Sequence, residues 1–270
     1  MSNSKVTLHE TSQSAPASAY FGNVAKILWR GLGNNQINIA DLPNDSHKQT
    51  LSELSLAQIA AVAFQNNLYI AWTGTDLRLN VMNLANPSSK ITLQETSVVG
   101  PALAVIDNKL YLGWTGTDTR LNTLSSTDGK NFGGKQTLSE TSFQSPALIA
   151  FKGKLRLGWT GTDQRLNIAM VDGSGKVTLS ETSPVGPAFA VAGDRLILGW
   201  TGTNSHLNWN SSSDGATFPS QTKVTSPETS TQAPALLSDP QANVLIYWTG
   251  TNAQLNFMVA EAAAVSAKSA

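Results

Sequence analysis

The sequence predicts an all-β protein, a six-bladed β-propeller with four short antiparallel strands in each blade. Three observations predict it: a nine-residue motif that recurs through the chain, a second motif at a fixed distance before it, and short apolar runs separated by turn residues. The recurrence every 41 to 48 residues and the number of strands per repeat match a propeller blade. A unit this small cannot bury both faces of its sheet alone, so neighbouring units must cover each other.

The two motifs fix the repeat. The first is WTGTDLRLN in one copy, and it returns with changes near its centre, beginning at Trp29, Trp72, Trp114, Trp159, Trp200 and Trp248. The second is Glu-x-Ser, which precedes each of these tryptophans by 19 or 20 residues, beginning at Glu10, Glu53, Glu95, Glu140, Glu181 and Glu228. Between the motifs, an apolar run opens with Pro-Ala at Pro16, Pro101, Pro146, Pro187 and Pro234, and Gln58-Ile59 replaces this pair in the second copy.

The third repeat illustrates the predicted strands. Apolar and β-branched runs bounded by Asp-Asn, Thr-Gly-Thr-Asp and Ser-Thr-Asp-Gly turns indicate strands at 102–106, 110–114, 121–124 and 135–138. The chain opens at 5–8 with the equivalent of a fourth strand and finishes at 255–259 with the equivalent of a third. The N-terminal strand is therefore expected to complete the sixth blade as its outer edge, which leaves no open seam. This gives one domain over 1–259, and the Ala-rich tail at 260–270 is expected to fray or form a short helix.

Composition narrows the classes of function. The charges of the 18 basic and 18 acidic residues cancel, so the chain has no excess positive charge that would indicate binding to nucleic acid or to an anionic membrane. With no cysteine and three scattered histidines, we expect neither a metal site nor a cofactor. No apolar run is long enough for membrane insertion, and the first residues lack the apolar region of a signal peptide. These features leave the localisation undetermined between the cytoplasm and release by a non-classical route, and the oligomeric state stays open.

Propeller topology predicts where a ligand binds. The turn between the second and third strands and the connection from one blade to the next lie on the same rim, so the two motifs converge there six times. Tryptophan faces, carboxylates and guanidinium forks are the groups that recognise sugars. The candidate ligand-binding residues are Trp72, Asp76, Arg78, Glu95, Trp114, Asp118, Arg120, Glu140, Trp159, Asp163, Arg165, Glu181, Trp200, His206 and Trp248.

Each residue type also has a structural interpretation. The tryptophans either pack between blades or stack on a ligand. The Asp and Arg side chains contact a ligand or form exposed ion pairs, and the glutamates contact a ligand or satisfy turn amides. The glycine of the first motif permits either a positive φ or a close approach in the turn. Arg is present at this point of the motif only in blades two to four (Arg78, Arg120, Arg165), so those blades are expected to carry the best sites.

The repeats resemble the Asp-box and sialidase-like propellers, and more closely the small repeat-built β-propeller lectins of bacteria and fungi. The Asp-box likeness lies in 126–129 with Phe132 and in 213–215 with Phe218, and it implies a structural role for Asp128 and Asp214. The resemblance to lectins implies several small sugar sites, between adjacent blades or on the rim. We therefore expect a multivalent lectin, not an enzyme, whose partners are glycans or glycoconjugates. The alternatives are a sialidase-like glycoside hydrolase and a protein-binding scaffold; a hydrolase needs one asymmetric site, whereas the three arginines are equivalent.

Overall fold

The computed structural model describes residues 5–43 and 46–260, where 24 strands form six four-stranded antiparallel sheets. In blades 1 to 5 the strands run outward in chain order. They are β2 (Ala17–Phe21), β3 (Val24–Arg30), β4 (Gln36–Asp41) and β5 (Ser46–Leu54) in blade 1; β6 (Ala60–Phe64), β7 (Asn67–Thr73), β8 (Arg78–Asn83) and β9 (Asn86–Thr96) in blade 2; β10 (Ala102–Ile106), β11 (Lys109–Thr115), β12 (Arg120–Ser126) and β13 (Gly133–Thr141) in blade 3; β14 (Ala147–Phe151), β15 (Lys154–Thr160), β16 (Arg165–Met170) and β17 (Val177–Thr182) in blade 4; β18 (Ala188–Ala192), β19 (Arg195–Thr201), β20 (His206–Ser212) and β21 (Val224–Thr229) in blade 5. A 3₁₀ turn at Ser220–Thr222 precedes β21.

The two ends of the chain close the ring in blade 6. This blade contains β22 (Ala235–Ser238), β23 (Val244–Thr249) and β24 (Gln254–Ala260), and its outer strand is β1 (Val6–Thr11). Thr7 pairs with Asn256 across the closure. The predicted six-bladed architecture and its closure are confirmed. The predicted tail lies outside the described residues except for Ala260, which ends β24.

Strand pairing corrects one detail of the repeat. The first residue of the inner strand pairs with the residue before the motif tryptophan, as Ala60 does with Ala71 and Ala102 with Gly113. Ile59–Ala60 is therefore the counterpart of Pro101–Ala102, and the assignment of Gln58-Ile59 to this place was wrong by one residue. Alanine consequently opens the inner strand of all six blades, at Ala17, Ala60, Ala102, Ala147, Ala188 and Ala235.

The apolar core is divided among the six junctions between blades. Each of six clusters of buried side chains contains one motif tryptophan, and each of those tryptophans is at most 1% exposed. The cluster around Trp114, for example, combines Leu79 and Val81 of blade 2 with Leu112 of blade 3. Because replacing such a tryptophan by alanine costs about 3–5 kcal/mol, these junctions hold the ring together.

Side-chain sizes are complementary across the junctions. The residue before the motif tryptophan is glycine in blades 3, 4 and 5, and the second residue of the next inner strand fills the space. A Cβ on Gly158 would lie 2.5 Å from the ring of Phe189, and one on Gly113 would lie 2.9 Å from Leu148. In blade 2 that residue is Ala71, which shares a cluster with Leu103. In blades 2 to 5 a small residue before the tryptophan therefore leaves room for a large residue of the next inner strand.

Hydrogen bonds between turns assign the two rims. On the first, here called the motif rim, the amide of Ser97 in the connection from blade 2 donates to the carbonyl of Leu77 in the turn between β7 and β8, at 2.9 Å. On the opposite rim, Gln65 Nε2 donates to the Thr127 carbonyl at 3.0 Å, which joins an inner-strand turn to an outer-strand turn. The predicted convergence of the two motifs on one rim is confirmed.

Two turns on the opposite rim are organised by carboxylates. Asp128 accepts the backbone amides of Asn131 and Lys130, at 2.8 and 2.9 Å, and Asp214 accepts those of Thr217 and Ala216 at 2.7 and 2.8 Å. These backbone hydrogen bonds hold the pKa of both carboxyl groups well below the usual range. Both aspartates therefore shape the turns in which they lie.

The glycine–phenylalanine contact gives a stability prediction. Gly158→Ala is expected to lower the free energy of unfolding by about 1–3 kcal/mol, because the new methyl group meets the Phe189 ring. Urea denaturation measures the change. The control is Gly133→Ala, where a Cβ has no neighbour within 4 Å; equal losses in both variants would contradict the packing argument.

The two carboxylate turns give a pH prediction. Because the folded-state pKa is lowered from 3.8, the ionised form stabilises the fold above that pH, and the stabilisation is lost as the pH falls through the folded-state pKa. Asp128→Asn combined with Asp214→Asn should therefore be less stable than the parent near neutral pH, and the gap should shrink in acid. Thermal unfolding of both proteins across this range tests it; a gap that is constant with pH would contradict the assignment.

Candidate functional site

One face of each blade carries an ordered row of side chains running outward from the motif tryptophan. Trp72 pairs with Asn80 on the third strand, and Asn80 pairs with Thr92 on the outer strand, so the three side chains lie on the same face. Asn80 Oδ1 accepts from the Thr92 hydroxyl at 2.6 Å, and Asn80 Nδ2 donates to the Arg78 carbonyl at 3.0 Å. The same two bonds form in every blade, so these asparagines are structural and tie the third strand to the outer strand; they are Asn38, Asn80, Asn122, Asn167, Asn208 and Asn256.

A lysine two residues before this threonine links the row to the preceding blade. Its ammonium lies 5.4 to 5.8 Å from the centre of the tryptophan ring of its own blade, a cation–π distance. The same ammonium forms an ion pair with the glutamate of the preceding blade's Glu-x-Ser motif. The pairs are Glu10–Lys48 (2.6 Å), Glu53–Lys90 (2.5 Å), Glu95–Lys135 (2.6 Å), Glu140–Lys176 (2.7 Å), Glu181–Lys223 (2.6 Å) and Glu228–Lys5 (2.9 Å).

These groups define six junction crevices, each formed by the glutamate of one blade and the lysine and tryptophan of the next. The tryptophan is the buried floor, whereas the glutamate side chains are 21–27% exposed and the lysine side chains 32–44% exposed. At the junction of blades 4 and 5 a cavity of about 80 Å³ adjoins this site, lined by Glu181, Trp200 and Phe218 among others. The crevices are polar at the mouth, apolar beneath, and balanced in charge.

Sequence reasoning missed the lysines, although the signal was present. Lys-x-Thr stands five residues before each motif glutamate in all six repeats, at Lys5, Lys48, Lys90, Lys135, Lys176 and Lys223. The residues were assigned only to outer strands. The missing step was that a lysine on one outer strand reaches the glutamate of another repeat, as Lys135 reaches Glu95.

The tryptophans take the packing role. Trp72, Trp114, Trp159, Trp200 and Trp248 are between 0 and 1% exposed, and a lysine ammonium lies over each ring. The packing interpretation is confirmed. The lysine ammonium lies between the indole ring and the solvent. A ligand that stacked directly on the indole ring would therefore have to displace the lysine.

The aspartates of the first motif cap its turn. Asp118 Oδ1 accepts the backbone amide of Arg120 at 3.1 Å, and Asp76 and Asp163 do the same for Arg78 and Arg165. A Cβ on Gly116 would lie 2.5 Å from Asp118 Oδ1. Close approach, and not a positive φ at this glycine, is therefore the reason for the repeated Thr-Gly-Thr-Asp.

The arginines lie along the outer strand of their own blade. Arg78 Nε donates to the Leu93 carbonyl at 2.9 Å, and Arg165 Nε donates to the Leu179 carbonyl at 3.0 Å. His206, which replaces arginine in blade 5, makes the equivalent contact to the Ser226 carbonyl at 3.0 Å. Asp and Arg of one motif therefore bond different backbone groups. Arg120 is exposed on the motif rim.

The carboxylates of Glu95, Glu140 and Glu181 accept hydrogen bonds from lysines of the next blade. Of the two interpretations that the sequence left open for these residues, these bonds do not support satisfaction of turn amides, and ligand contact stays a prediction. In five of the six repeats, the serine two residues after the glutamate accepts a turn amide instead. Ser97 is fully buried; its hydroxyl accepts the Val99 amide at 3.1 Å and donates to the Val99 carbonyl at 2.8 Å. The glutamates are thereby left at the crevice mouth with capacity to accept further hydrogen bonds.

The described part of the chain contains neither a candidate metal site nor a candidate membrane-spanning helix. Within 5–43 and 46–260, no group of three or more His, Asp or Glu side chains is placed to hold a metal ion. No helix in these same ranges is long and apolar enough to cross a membrane.

Comparison with known proteins identifies solved structures that have the same fold as this chain. No protein family and no curated protein sequence matches this chain. Among solved structures, AofleA from Arthrobotrys oligospora, determined as a triple arginine-to-alanine mutant, has a TM-score of 0.72 at 11% identity, covering 96% of this chain and 86% of that one. The SapL1 lectin bound to α-methyl fucoside has a TM-score of 0.67 at 11% identity, covering 93% and 94%. This chain shares their fold. The fucose-specific lectin from Aleuria aurantia also aligns, with a TM-score of 0.64 at 12% identity over 94% and 93% of the two chains.

The fold resemblance inferred from the sequence is therefore confirmed. A subtype N10 neuraminidase-like protein also aligns, with a TM-score of 0.62 at 7% identity, covering 96% of this chain and 98% of that one. Because these identities are low, the comparisons establish the architecture alone.

The exposure of the crevice pairs predicts that they contribute little to stability. Glu95→Gln should change the free energy of unfolding by less than about 1 kcal/mol, because both partners retain contact with water. Urea denaturation of Glu95→Gln, Lys135→Met and the double variant isolates the pair. A coupling of about 3 kcal/mol or more would instead mean that the six pairs exist to hold the blades together.

Proposed function

We propose that the chain is a multivalent carbohydrate-binding protein whose sites are the six junction crevices. The observation that carries this proposal is the sixfold repetition of a half-exposed glutamate–lysine pair above a buried tryptophan. The ammonium donates and the carboxylate accepts, so together they match two adjacent hydroxyl groups of a pyranose. Because each pair is balanced in charge, the proposed ligands are neutral sugars.

The remaining candidate residues support the crevices in this proposal. Asp118 and its equivalents hold the turn, and Arg120 and its equivalents line the motif rim beside the outer strand. Thr96 and Thr117, 3.2 Å apart across the junction of blades 2 and 3, supply further hydroxyl groups there. Six like sites on one ring would raise the affinity for a glycan-coated surface by about 10² to 10⁴ over a single site.

Two structural neighbours favour this function and suggest a first ligand. The Aleuria aurantia protein is described as a fucose-specific lectin, and SapL1 as a lectin in complex with α-methyl fucoside. α-Methyl fucoside is accordingly the first sugar to test. Identity of 11 to 12% leaves the preferred sugar of this chain to experiment.

Binding is favoured over glycoside hydrolysis by the equivalence of the sites. A hydrolase needs one place where acid and nucleophile differ from their surroundings. Arg78 and Arg165 instead occupy equivalent positions, each bonded to its own blade, and Tyr247 is buried with its pKa raised by desolvation. Turnover of a fluorogenic sialoside that is lost in Arg120→Ala would overturn this preference.

Calorimetric titration with α-methyl fucoside and a panel of neutral monosaccharides tests the proposal. We expect weak binding with more than one equivalent site per chain. Lys135→Met keeps the apolar stem and removes the donor, so it should remove one site, and replacing the six crevice lysines together should abolish binding while circular dichroism shows an intact fold. Lys109→Met, an exposed lysine on the opposite rim, is the matched control and should bind as the parent does.

A glycan array extends the test beyond monosaccharides. Recognition of at least one neutral glycan, lost in the six-lysine variant, is expected. A folded protein that binds no glycan on a broad array, or a six-lysine variant that binds as well as the parent, would rule out the crevices as sugar sites.

A further inference from the structure

The Pro-Ala motif has no part in the crevices, and it leads to a second site. The inner strands of all six blades surround a central cavity of about 480 Å³, within the range of small-molecule pockets. It is lined by Pro, Ala, Val, Leu and Ile side chains, and none of the described residues that line it is charged. Its surface chemistry therefore differs from that of the crevices.

The cavity is closed at the motif rim. The residue immediately before each inner strand is buried in all six blades. These residues are Pro16, Ile59, Pro101, Pro146, Pro187 and Pro234. Two of the residues just before them are glycines that lie close to the backbone of a neighbouring connection. A Cβ on Gly100 would lie 2.4 Å from the Gln58 carbonyl oxygen, and one on Gly186 would lie 2.2 Å from that of Ser145. Glycine at these two places lets the inner connections close together around the axis.

The cavity is open at the opposite rim. The fourth residue of every inner strand is half-buried or exposed: Tyr20, Ala63, Val105, Ala150, Val191 and Ser238. Most of these side chains are small, which leaves a mouth. The Tyr20 hydroxyl donates to the Asn23 carbonyl at 3.0 Å, so one aromatic ring is held at this mouth. The space is a cup whose lining side chains are mostly apolar, with a closed base and an entrance at the opposite rim.

Polar side chains occupy one side of the cup. Ser18 and Tyr20 belong to blade 1, and Ser238 to the adjacent blade 6. The walls from blades 2 to 5 are apolar except for Gln58 at the closed end. A ligand would bury its apolar body against these blades and direct a polar end toward blades 6 and 1.

We propose that the central cup binds one uncharged, largely apolar small molecule with a single polar end, independently of the sugar crevices. Apolar area removed from water on binding supplies the driving force. A charged ligand is disfavoured because no opposite charge is present among the described residues that line the cup. Lying on the axis of the ring, the cup provides one site per chain, whereas the crevices provide as many as six.

The probe for this site is N-phenyl-1-naphthylamine, an uncharged dye that fluoresces in apolar surroundings. Titration of the full chain should give saturable enhancement with one dye bound per chain. Ala150→Trp places a large side chain in the cup and should weaken dye binding at least tenfold. Ala85→Trp, on an exposed turn away from the cup, is the matched control and should bind the dye as the parent does.

Three further measurements distinguish dye binding in the cup from dye binding elsewhere on the protein. Val191→Phe is a second cup-filling variant to be used if Ala150→Trp does not fold, with circular dichroism recorded for each protein. The six-lysine variant should bind the dye normally, and α-methyl fucoside should not displace it. Absence of saturable enhancement, several dyes per chain, full binding by the cup-filling variants, or displacement by the sugar would each overturn the proposal.

Discussion

Burial of one tryptophan at every junction between blades is the contact on which the rest of the molecule depends. No blade can cover its own two faces, so each sheet is stable only when a neighbour lies against it. The tryptophan fills the junction, and the residue before it is matched in size to a residue of the next inner strand, as Gly158 is to Phe189. The ring is thus a cycle of six similar interfaces, and the N-terminal strand completes the last of them.

The same tryptophan positions the polar groups above it. Strand pairing fixes the asparagine and threonine beside the indole, and the lysine two residues earlier must then emerge over the ring. Its partner comes from another blade, so the ion pair forms only when the junction has closed. Packing and the polar surface are therefore coupled, because the crevice is the exposed upper edge of an apolar interface.

The two ends of the ring have different chemistry for a topological reason. Connections between blades and the turns of the first motif lie on the motif rim, where Gly100 and Gly186 allow close contact between the inner connections. Inner strands begin there in contact and end on the opposite rim with their side chains partly exposed. One fold thus offers charge-balanced polar crevices between its blades and an uncharged cup along its axis.

The sequence by itself determined the number of blades, the four strands of each and the closure by 5–8, because repeat period and hydrophobic alternation are local properties of the chain. It also placed the two motifs on one rim, since strand order fixes the side on which every turn lies. It could not decide between packing and ligand contact for Trp114, or find the partner of Glu95, and it misaligned Ile59 by one residue. Those answers needed the tertiary structure. These answers depend on distances between residues roughly forty positions apart, and only the closed ring sets those distances. The distances determine which face of an indole is covered and which lysine contacts which carboxylate. They also determine whether the inner strands touch or leave a cavity.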